Sequence, residues 1–138
     1  MALKASNTFI NLPVKDLKKT MDFFSQLGFE FNMQFTDDNA ACMVINDNTF
    51  AMLLVETFFQ TFTKKELADA AKSTEVLIGL SADSRSEVDE IVNKALSVGG
   101  SAAGDTQDHG FMYSRSFQDV DGHIWEVIYM DQSAIQQA

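Results

Sequence analysis

The sequence predicts an α+β fold built from two βαβββ units, because one order of elements occurs twice along the chain. In each half a short apolar run precedes an amphipathic helix, and three further strand-like segments follow the helix. A four-stranded sheet with one helix covers only one of its faces, so two such units are expected to share an interior. We therefore expect one domain spanning residues 1–138, with units near 7–57 and 75–131 and a crossover near 58–74.

The first unit opens with an apolar run from Phe9 to Val14, which predicts a strand. Apolar residues then recur at helical spacing from Leu17 to Leu27, and Asp16 is a suitable N-cap. Gly28 predicts the end of this helix, because glycine adopts the left-handed conformation common at helix C-termini. Turn-rich segments separate the three strands predicted next, at residues 29–36, 40–46 and 49–56.

The second unit repeats this order from Glu75. A strand is predicted at 76–82, and a helix at 86–98 that begins with the capping box S-E-V-D and ends at G-G. The strands predicted after it are a poorly defined one at 101–106 and two clear ones at 111–117 and 123–130. In the crossover, Thr63 and Glu66 form another capping box, which predicts a short helix from about Lys64.

Composition excludes several classes of partner. The formal net charge of −10 disfavours nucleic acid and anionic membranes, because both would be repelled. Neither a secretory signal nor an apolar stretch of about 20 residues occurs, so we expect a cytoplasmic protein. Cys42 is the only cysteine and lies in a short apolar strand, which favours a buried inert thiol over a nucleophile.

Glu126 is the first candidate for a functional group. The last predicted strand places Ile124, Glu126 and Ile128 on one face, opposite Trp125 and Val127. A carboxylate framed by isoleucines is costly to bury unless it is paired, hydrogen-bonded or bound to a metal. The alternative is a carboxylate on a solvated face.

Two segments resemble the vicinal oxygen chelate superfamily, which includes glyoxalase I, extradiol dioxygenases and the bleomycin- and fosfomycin-resistance proteins. They are L-P-V-K-D-L-K-K-T-M-D-F-F-S-Q-L-G-F near the start and F-Q-D-V-D-G-H-I-W-E near the end. The resemblance spans about Asn7 to Asp131. It implies the glyoxalase/bleomycin resistance/dihydroxybiphenyl dioxygenase fold, in which two βαβββ modules form a cupped, curved mixed sheet with the helices outside. It also implies a homodimer.

The resemblance implies four metal ligands, one on the first and one on the last strand of each unit. The last-strand positions fall on Glu56 and Glu126, which are therefore the candidate metal ligands and catalytic carboxylates. The first-strand positions, where histidine is usual, fall on Phe9 and Leu77. Zinc, nickel, manganese or iron needs three or four donors, so we expect a degenerate site with no tightly bound metal.

The sequence leaves open how such a site might be used. It could be rebuilt with Asn11, His109 or Tyr113 as additional ligands. Without a metal, Glu56 and Glu126 are expected to lie close together, and repulsion would then raise the proton affinity of one of them. That carboxylate would be a candidate general base or hydrogen-bonding anchor.

Other polar residues are weaker candidates. Tyr113 and Arg115 share one strand face whose direction the sequence does not fix; Arg115 would bind a carboxylate or phosphonate, or pair with an acid such as Asp119. His109 lies in a loop and is a candidate rim contact or an exposed turn residue. His123 is expected to pack with Trp125 on the helix-covered side.

These observations lead to one main functional hypothesis and two alternatives. We expect a protein that binds a small molecule in a cavity between the units, as an altered enzyme or a sequestering binder. The first alternative is a metal-dependent lyase, isomerase or dioxygenase using Glu56 and Glu126. The second is a protein-interaction or structural module. The aromatic cluster Phe58, Phe59 and Phe62 fits packing, a dimer contact or a cavity wall.

Overall fold

The computed structural model describes residues 1–135 of the chain. It has the predicted α+β composition and divides into two compact units, the first ending at Ala68 and the second beginning at Asp69. Within the described residues, no helix combines the length and apolar character needed to cross a membrane.

The first unit contains a four-stranded sheet and one long helix. The sheet has the order β1-β4-β3-β2, with β1 parallel to β4 and the remaining pairs antiparallel. Its elements are β1 (Thr8–Val14), α1 (Leu17–Leu27), β2 (Glu30–Phe31), β3 (Ala40–Asn46), β4 (Thr49–Val55) and α2 (Glu56–Phe59).

Helix α1 forms as its sequence predicts. The Asp16 carboxylate accepts the N–H of Lys19 at 3.1 Å, and Gly28 ends the helix in the left-handed conformation at φ 105°. Phe23 and Phe24 are fully buried against the sheet, with their rings edge to face at a centroid distance of 5.0 Å.

Two predictions about the first unit and the crossover are wrong. The strand predicted at 29–36 is a strand only at Glu30–Phe31, because the Asn32 side chain accepts the N–H of Gln34 at 3.0 Å and opens a 3₁₀ turn over Met33–Phe35. The crossover helix predicted from Lys64 is absent from the described residues, and helix α2 instead begins directly after β4.

Local hydrogen bonds explain the missing crossover helix. A second 3₁₀ turn, Gln60–Phe62, follows α2, and the Gln60 side chain donates to the carbonyls of Thr63 and Lys65, both at 2.9 Å. Those carbonyls are the acceptors that a helix starting near residue 64 would use in its first turns. The segment therefore stays irregular.

The second unit repeats the topology of the first. Its sheet has the order β5-β9-β8-β6, β5 is parallel to β9, and β7 pairs with β8. Its elements are β5 (Leu77–Ser81), α3 (Arg85–Ser97), β6 (Ser101–Ala102), β7 (Gln107–Asp108), β8 (Met112–Gln118), β9 (Ile124–Met130) and α4 (Gln132–Ile135).

Helix α3 starts one residue earlier than predicted and uses a different cap. Ser84 Oγ accepts the N–H of Glu87 at 3.1 Å, so the capping serine precedes the predicted S-E-V-D box by two residues. The helix packs on β8 and β9, where Phe117, Trp125 and Val127 are fully buried. The core of this unit therefore lies between α3 and one face of its sheet.

Candidate functional site

Each sheet has one face towards its long helix and one face away from it, which we call the distal face. In the second unit Trp125 and Val127 point to the helix, so strand alternation places Glu126 on the distal face. The same alternation, carried across the register of the three strands, gives the residues of the distal face of the second sheet. They are Leu77, Gly79 and Ser81 on β5, Ile124, Glu126, Ile128 and Met130 on β9, and Met112, Ser114, Ser116 and Gln118 on β8.

Glu126 is half-buried at the centre of this distal face. Its register partners are Gly79 on β5 and Ser116 on β8, so one row across the sheet reads glycine, glutamate, serine. Gly79 is exposed and has no side chain, and a Cβ built on it would meet, within 4 Å, only the side chain of Ile128, at 3.4 Å. The carboxylate thus lies in a mainly apolar surface with one hydroxyl beside it.

A loop lies close to the serine end of this row. A Cβ atom built on Gly104 would lie 3.5 Å from Ser116 Oγ, so the loop between β6 and β7 passes near that hydroxyl. Ser114, the next distal residue of β8, is buried. The β8 side of Glu126 is therefore covered, and the β5 side is the less crowded one.

Phe9 and Leu77 occupy equivalent positions in the two units. Each lies on the distal face of its first strand, seven residues before the residue that caps the following helix, Asp16 or Ser84. The side chains of Phe9 and Leu77 are 57% and 56% exposed. Two large apolar groups thus occupy the positions where the resemblance implied histidines.

The strand register corrects the expected pairing of Glu56 with Glu126. Leu77 pairs with Ile124, and Glu126 lies two residues further along β9; Phe9 pairs with Phe50, and two residues further along β4 is Met52. Met52 is therefore the counterpart of Glu126. Glu56 lies beyond the end of β4, as the exposed first residue of α2.

This arrangement does not fit a transition metal. Of the four equivalent positions, Phe9, Met52 and Leu77 offer no nitrogen or oxygen donor and only Glu126 has a carboxylate. Among residues 1–135, no three histidine, cysteine or acidic side chains are grouped so that they could hold an ion. We therefore assign no chemistry of this site to a metal.

Tyr113 and Arg115 lie on the helix-covered face and not on the distal face. The Asp89 carboxylate on α3 accepts hydrogen bonds from Tyr113 Oη at 2.7 Å and from Arg115 Nη1 at 2.9 Å. The hydrogen bond from Tyr113, followed by the one from Arg115, lowers the pKa of Asp89. The hydrogen bond to Asp89 in turn raises the pKa of Tyr113. The sequence left open which way the strand face with Tyr113 and Arg115 points, and the structure shows that it points towards α3. Arg115 pairs there with Asp89 and not with Asp119.

Asp119 instead organises the D-V-D-G turn from inside. Its carboxylate is almost fully buried and accepts the N–H groups of Asp121 at 2.9 Å and His123 at 3.0 Å, as well as Trp125 Nε1 at 2.9 Å. Burial raises the pKa of Asp119. His123 is half-buried beside this carboxylate, just before β9 begins.

His109 is exposed in the loop that joins β7 to β8. The neighbouring Asp108 binds Arg85 of α3 through two hydrogen bonds of 2.8 and 2.7 Å, and Arg85 also donates to the carbonyl of Gly110. The Arg85 guanidinium holds the pKa of Asp108 well below its usual range. Sequence reasoning missed this clamp, because its two charged ends lie 23 residues apart.

The remaining candidates of the first unit do not form a polar site among its described residues. Asn11 is exposed on the distal face, opposite Met52, while Phe58 and Phe62 form an edge-to-face pair at 5.1 Å. Cys42 is 3% exposed, and burial raises the pKa of its thiol, as expected of an unreactive cysteine.

The fold and the distal faces define a class of protein with two βαβββ units, each with its first strand parallel to its last. Residues 8–127 match the model of the Glyoxalase/Bleomycin resistance protein/Dioxygenase superfamily, and the chain belongs to this superfamily. The family resemblance stated from the two sequence motifs is therefore confirmed. No curated protein matches the chain.

Solved structures agree with this assignment. The hypothetical protein SA1046 from S. aureus is 29% identical, with a TM-score of 0.77 over 93% of this chain and 95% of that one. A glyoxalase/bleomycin resistance protein/dioxygenase family enzyme from Burkholderia phytofirmans PsJN is 13% identical, with a TM-score of 0.74 over 88% and 96%. The fosfomycin resistance protein FosX from Listeria monocytogenes, complexed with Mn(II) and sulfate, is 18% identical, with a TM-score of 0.63 over 92% and 90%.

Proposed function

We propose that this chain binds a small molecule on the distal face of its second sheet without a metal ion, and that Glu126 is the polar group that holds the ligand. The observation behind the proposal is a single half-buried carboxylate set among Leu77, Ile124 and Ile128. Such a surface suits a ligand with an apolar body and one hydrogen-bond donor, because the carboxylate only accepts.

The same geometry gives Glu126 a second role with a suitable ligand. If the bound molecule has an acidic proton within reach of the carboxylate, Glu126 is the group that would accept it as a general base. The neighbouring Ser116 hydroxyl can donate to a polar atom of the ligand. We therefore propose a binder first and a metal-independent enzyme second.

The metal-dependent alternative has less support. Listeria FosX, which shares the fold, is described with Mn(II), but this chain has one donor at the four equivalent positions. A divalent ion held by Glu126 alone would be weakly bound. The predicted homodimer and cytoplasmic location stay predictions.

Metal analysis combined with ligand screening tests the proposal. Protein purified without a chelator is expected to contain only substoichiometric zinc, nickel, manganese and iron. A collection of small amines, alcohols and carboxylates is expected to include compounds that raise the melting temperature, because a ligand selective for the folded state stabilises it.

Two matched variants assign the binding to Glu126. Glu126→Gln keeps the size of the side chain and removes its charge, and it should weaken the ligand about tenfold, since a hydrogen bond to a charged group contributes about 1.5–3 kcal/mol. Glu90→Gln, an exposed position on α3, is the control and should bind normally. Stoichiometric metal that disappears in Glu126→Gln would instead support the metal-dependent enzyme. A protein that no compound stabilises would not be a small-molecule binder.

A further inference from the structure

Gly79 lies in the middle of β5, where neither the backbone nor the packing requires a glycine. Its φ is not positive, unlike that of Gly28 and Gly122, so a residue with a side chain can adopt its conformation. The one contact that a Cβ would make within 4 Å, with Ile128 Cδ1 at 3.4 Å, is at an ordinary van der Waals distance. Alanine would therefore fit this position.

A glycine inside a strand lowers stability, because it loses more conformational freedom on folding than other residues and has no side chain to pack. Such a glycine often marks a bulge, or a place where another backbone or a ligand approaches closely. The register of β5 with β9 runs without a shift from Leu77 to Ser81, so these residues form no bulge. Within the described part of the chain, no backbone atom beyond the chain neighbours of Gly79 lies within 4 Å of a Cβ built there. The close approach of a ligand is the explanation consistent with these observations.

A groove of about 610 Å³ begins at Gly79, at the carboxyl ends of the parallel strands β5 and β9. This volume lies within the range of about 300–1,000 Å³ that is usual for small-molecule sites. Gly79, the register partner of Glu126, and Ile128, its distal neighbour on β9, both line the groove. The space left by the missing side chain therefore opens into the groove on the less crowded side of the Glu126 carboxylate.

We propose that Gly79 determines which ligands the Glu126 site accepts, because the apolar body of the ligand lies over its bare backbone. This inference rests on the proposed function and narrows it to ligands whose body extends from the Glu126 carboxylate past Gly79 into the groove. A side chain at position 79 would occupy the space of that body and leave the carboxylate in place. Large ligands should then lose affinity and small ones keep it, since one carbon atom more or less in an apolar pocket changes recognition about 10- to 200-fold.

Thermal unfolding in the absence of a ligand tests whether the fold needs this glycine. Gly79→Ala should raise the melting temperature by about 2 °C, because alanine restricts the unfolded chain more than glycine does. Ser101→Ala, at an exposed position on β6 at the opposite edge of the sheet, is the control and should change the melting temperature less. A fall of several degrees in Gly79→Ala would show that the glycine is structural, which would overturn the proposal.

Two alcohols with the same donor and bodies of different size test the binding by NMR titration: benzyl alcohol and 2-naphthalenemethanol. The unsubstituted protein should bind the naphthyl compound more tightly, because it buries more apolar surface in the groove. Gly79→Val should weaken the naphthyl compound at least about tenfold and benzyl alcohol less than about threefold. Ser101→Val places the same side chain at the opposite edge of the sheet and should leave both affinities unchanged. An equal loss for the two alcohols in Gly79→Val, or no loss for either, would overturn the proposal.

The roles of Gly79 and Glu126 fail in distinguishable ways. Glu126→Gln should weaken both alcohols alike, because each donates the same hydroxyl. If it does so while Gly79→Val weakens neither, the role of Gly79 is wrong and the Glu126 site stands. If Gly79→Val weakens only the larger alcohol and Glu126→Gln has no effect, the size limit stands and Glu126 does not hold the ligand. If neither alcohol binds, the size limit is wrong, and the screen of the compound collection decides separately on Glu126.

Discussion

The two units share a scaffold and differ on the faces turned away from their helices. On the helix-covered face, Ala51 and Leu53 of the first unit are as fully buried as their counterparts Trp125 and Val127 in the second. On the distal face the counterparts differ in kind: Met52 corresponds to Glu126, and Asn11 to Gly79. The buried positions that build the fold are thus shared by the two units, whereas only the second unit has a carboxylate at this distal position, as the role proposed for Glu126 requires.

The largest expected effect comes from two glycines that look alike in the backbone. Gly28 and Gly122 both have positive φ, at 105° and 97°. A Cβ on Gly28 would meet no atom within 4 Å, whereas a Cβ on Gly122 would lie 2.9 Å from the backbone of Ala70 and Ala71. Gly28→Ala should therefore cost only the left-handed strain, about 1 kcal/mol, and Gly122→Ala about 3 kcal/mol in the free energy of unfolding.

Urea unfolding of both variants, followed by circular dichroism, measures this difference, with Gly28→Ala as the control for backbone strain. Equal losses in the two variants would mean that the segment around Ala70 moves aside at no cost. A larger loss for Gly122→Ala would show that the D-V-D-G turn is fixed from outside by this segment as well as from inside by Asp119.

The second prediction exchanges the side chains that distinguish the two distal faces. Met52→Glu should cost about 2 kcal/mol, because it places a carboxylate beside buried Cys42 and Leu54, where no charged residue is a register partner and only the neutral Asn11 amide lies opposite. Glu126→Met should change the stability by less than about 1 kcal/mol, since its isoleucine neighbours accept an apolar side chain. It should nevertheless abolish binding of the ligand.

Thermal unfolding and calorimetry of both variants check this asymmetry, and Glu126→Gln separates the loss of charge from the change of shape. A large destabilisation by Glu126→Met would indicate that Glu126 has a structural role in the second sheet. In that case the contrast between the two faces would reflect packing and not ligand binding.

Much of the scaffold could be predicted because its signals are local. Strand β3 lies at the predicted residues 40–46. Asp16 and Gly28 start and end α1 as expected, because a cap depends only on the residue itself and on the backbone groups within a few residues of it. The segment 29–36 was predicted wrongly for a related reason. Asn32 offers a local hydrogen bond that its sequence pattern does not reveal.

The site was harder to predict because it depends on the pairing of distant strands. The motif match placed the counterpart of Glu126 at Glu56, and only the register of β1 with β4 moves it to Met52. In the same way, Tyr113 and Arg115 form hydrogen bonds with Asp89, which lies 24 and 26 residues before them in the sequence. No spacing in the sequence indicates these contacts.

The smallest predicted effect compares two aspartates of the second unit whose pKa values shift in opposite directions. Arg85 lowers the pKa of Asp108, so this carboxylate stabilises the fold at neutral pH and loses that contribution as the pH falls through its folded-state pKa. Burial raises the pKa of Asp119, so its contribution is greatest when it is protonated and decreases as the pH rises through its folded-state pKa.

The free energy of unfolding of Asp108→Asn and Asp119→Asn, measured from pH 3 to 7 against the unsubstituted protein, should show these opposite slopes. The stability lost in Asp108→Asn should grow with increasing pH, and the loss in Asp119→Asn should shrink over the same range. Parallel slopes would mean that the three N–H groups around Asp119 outweigh its burial. Asp119 would then be an ionised anchor of the turn, and the turn before β9 would become more stable as the pH rises.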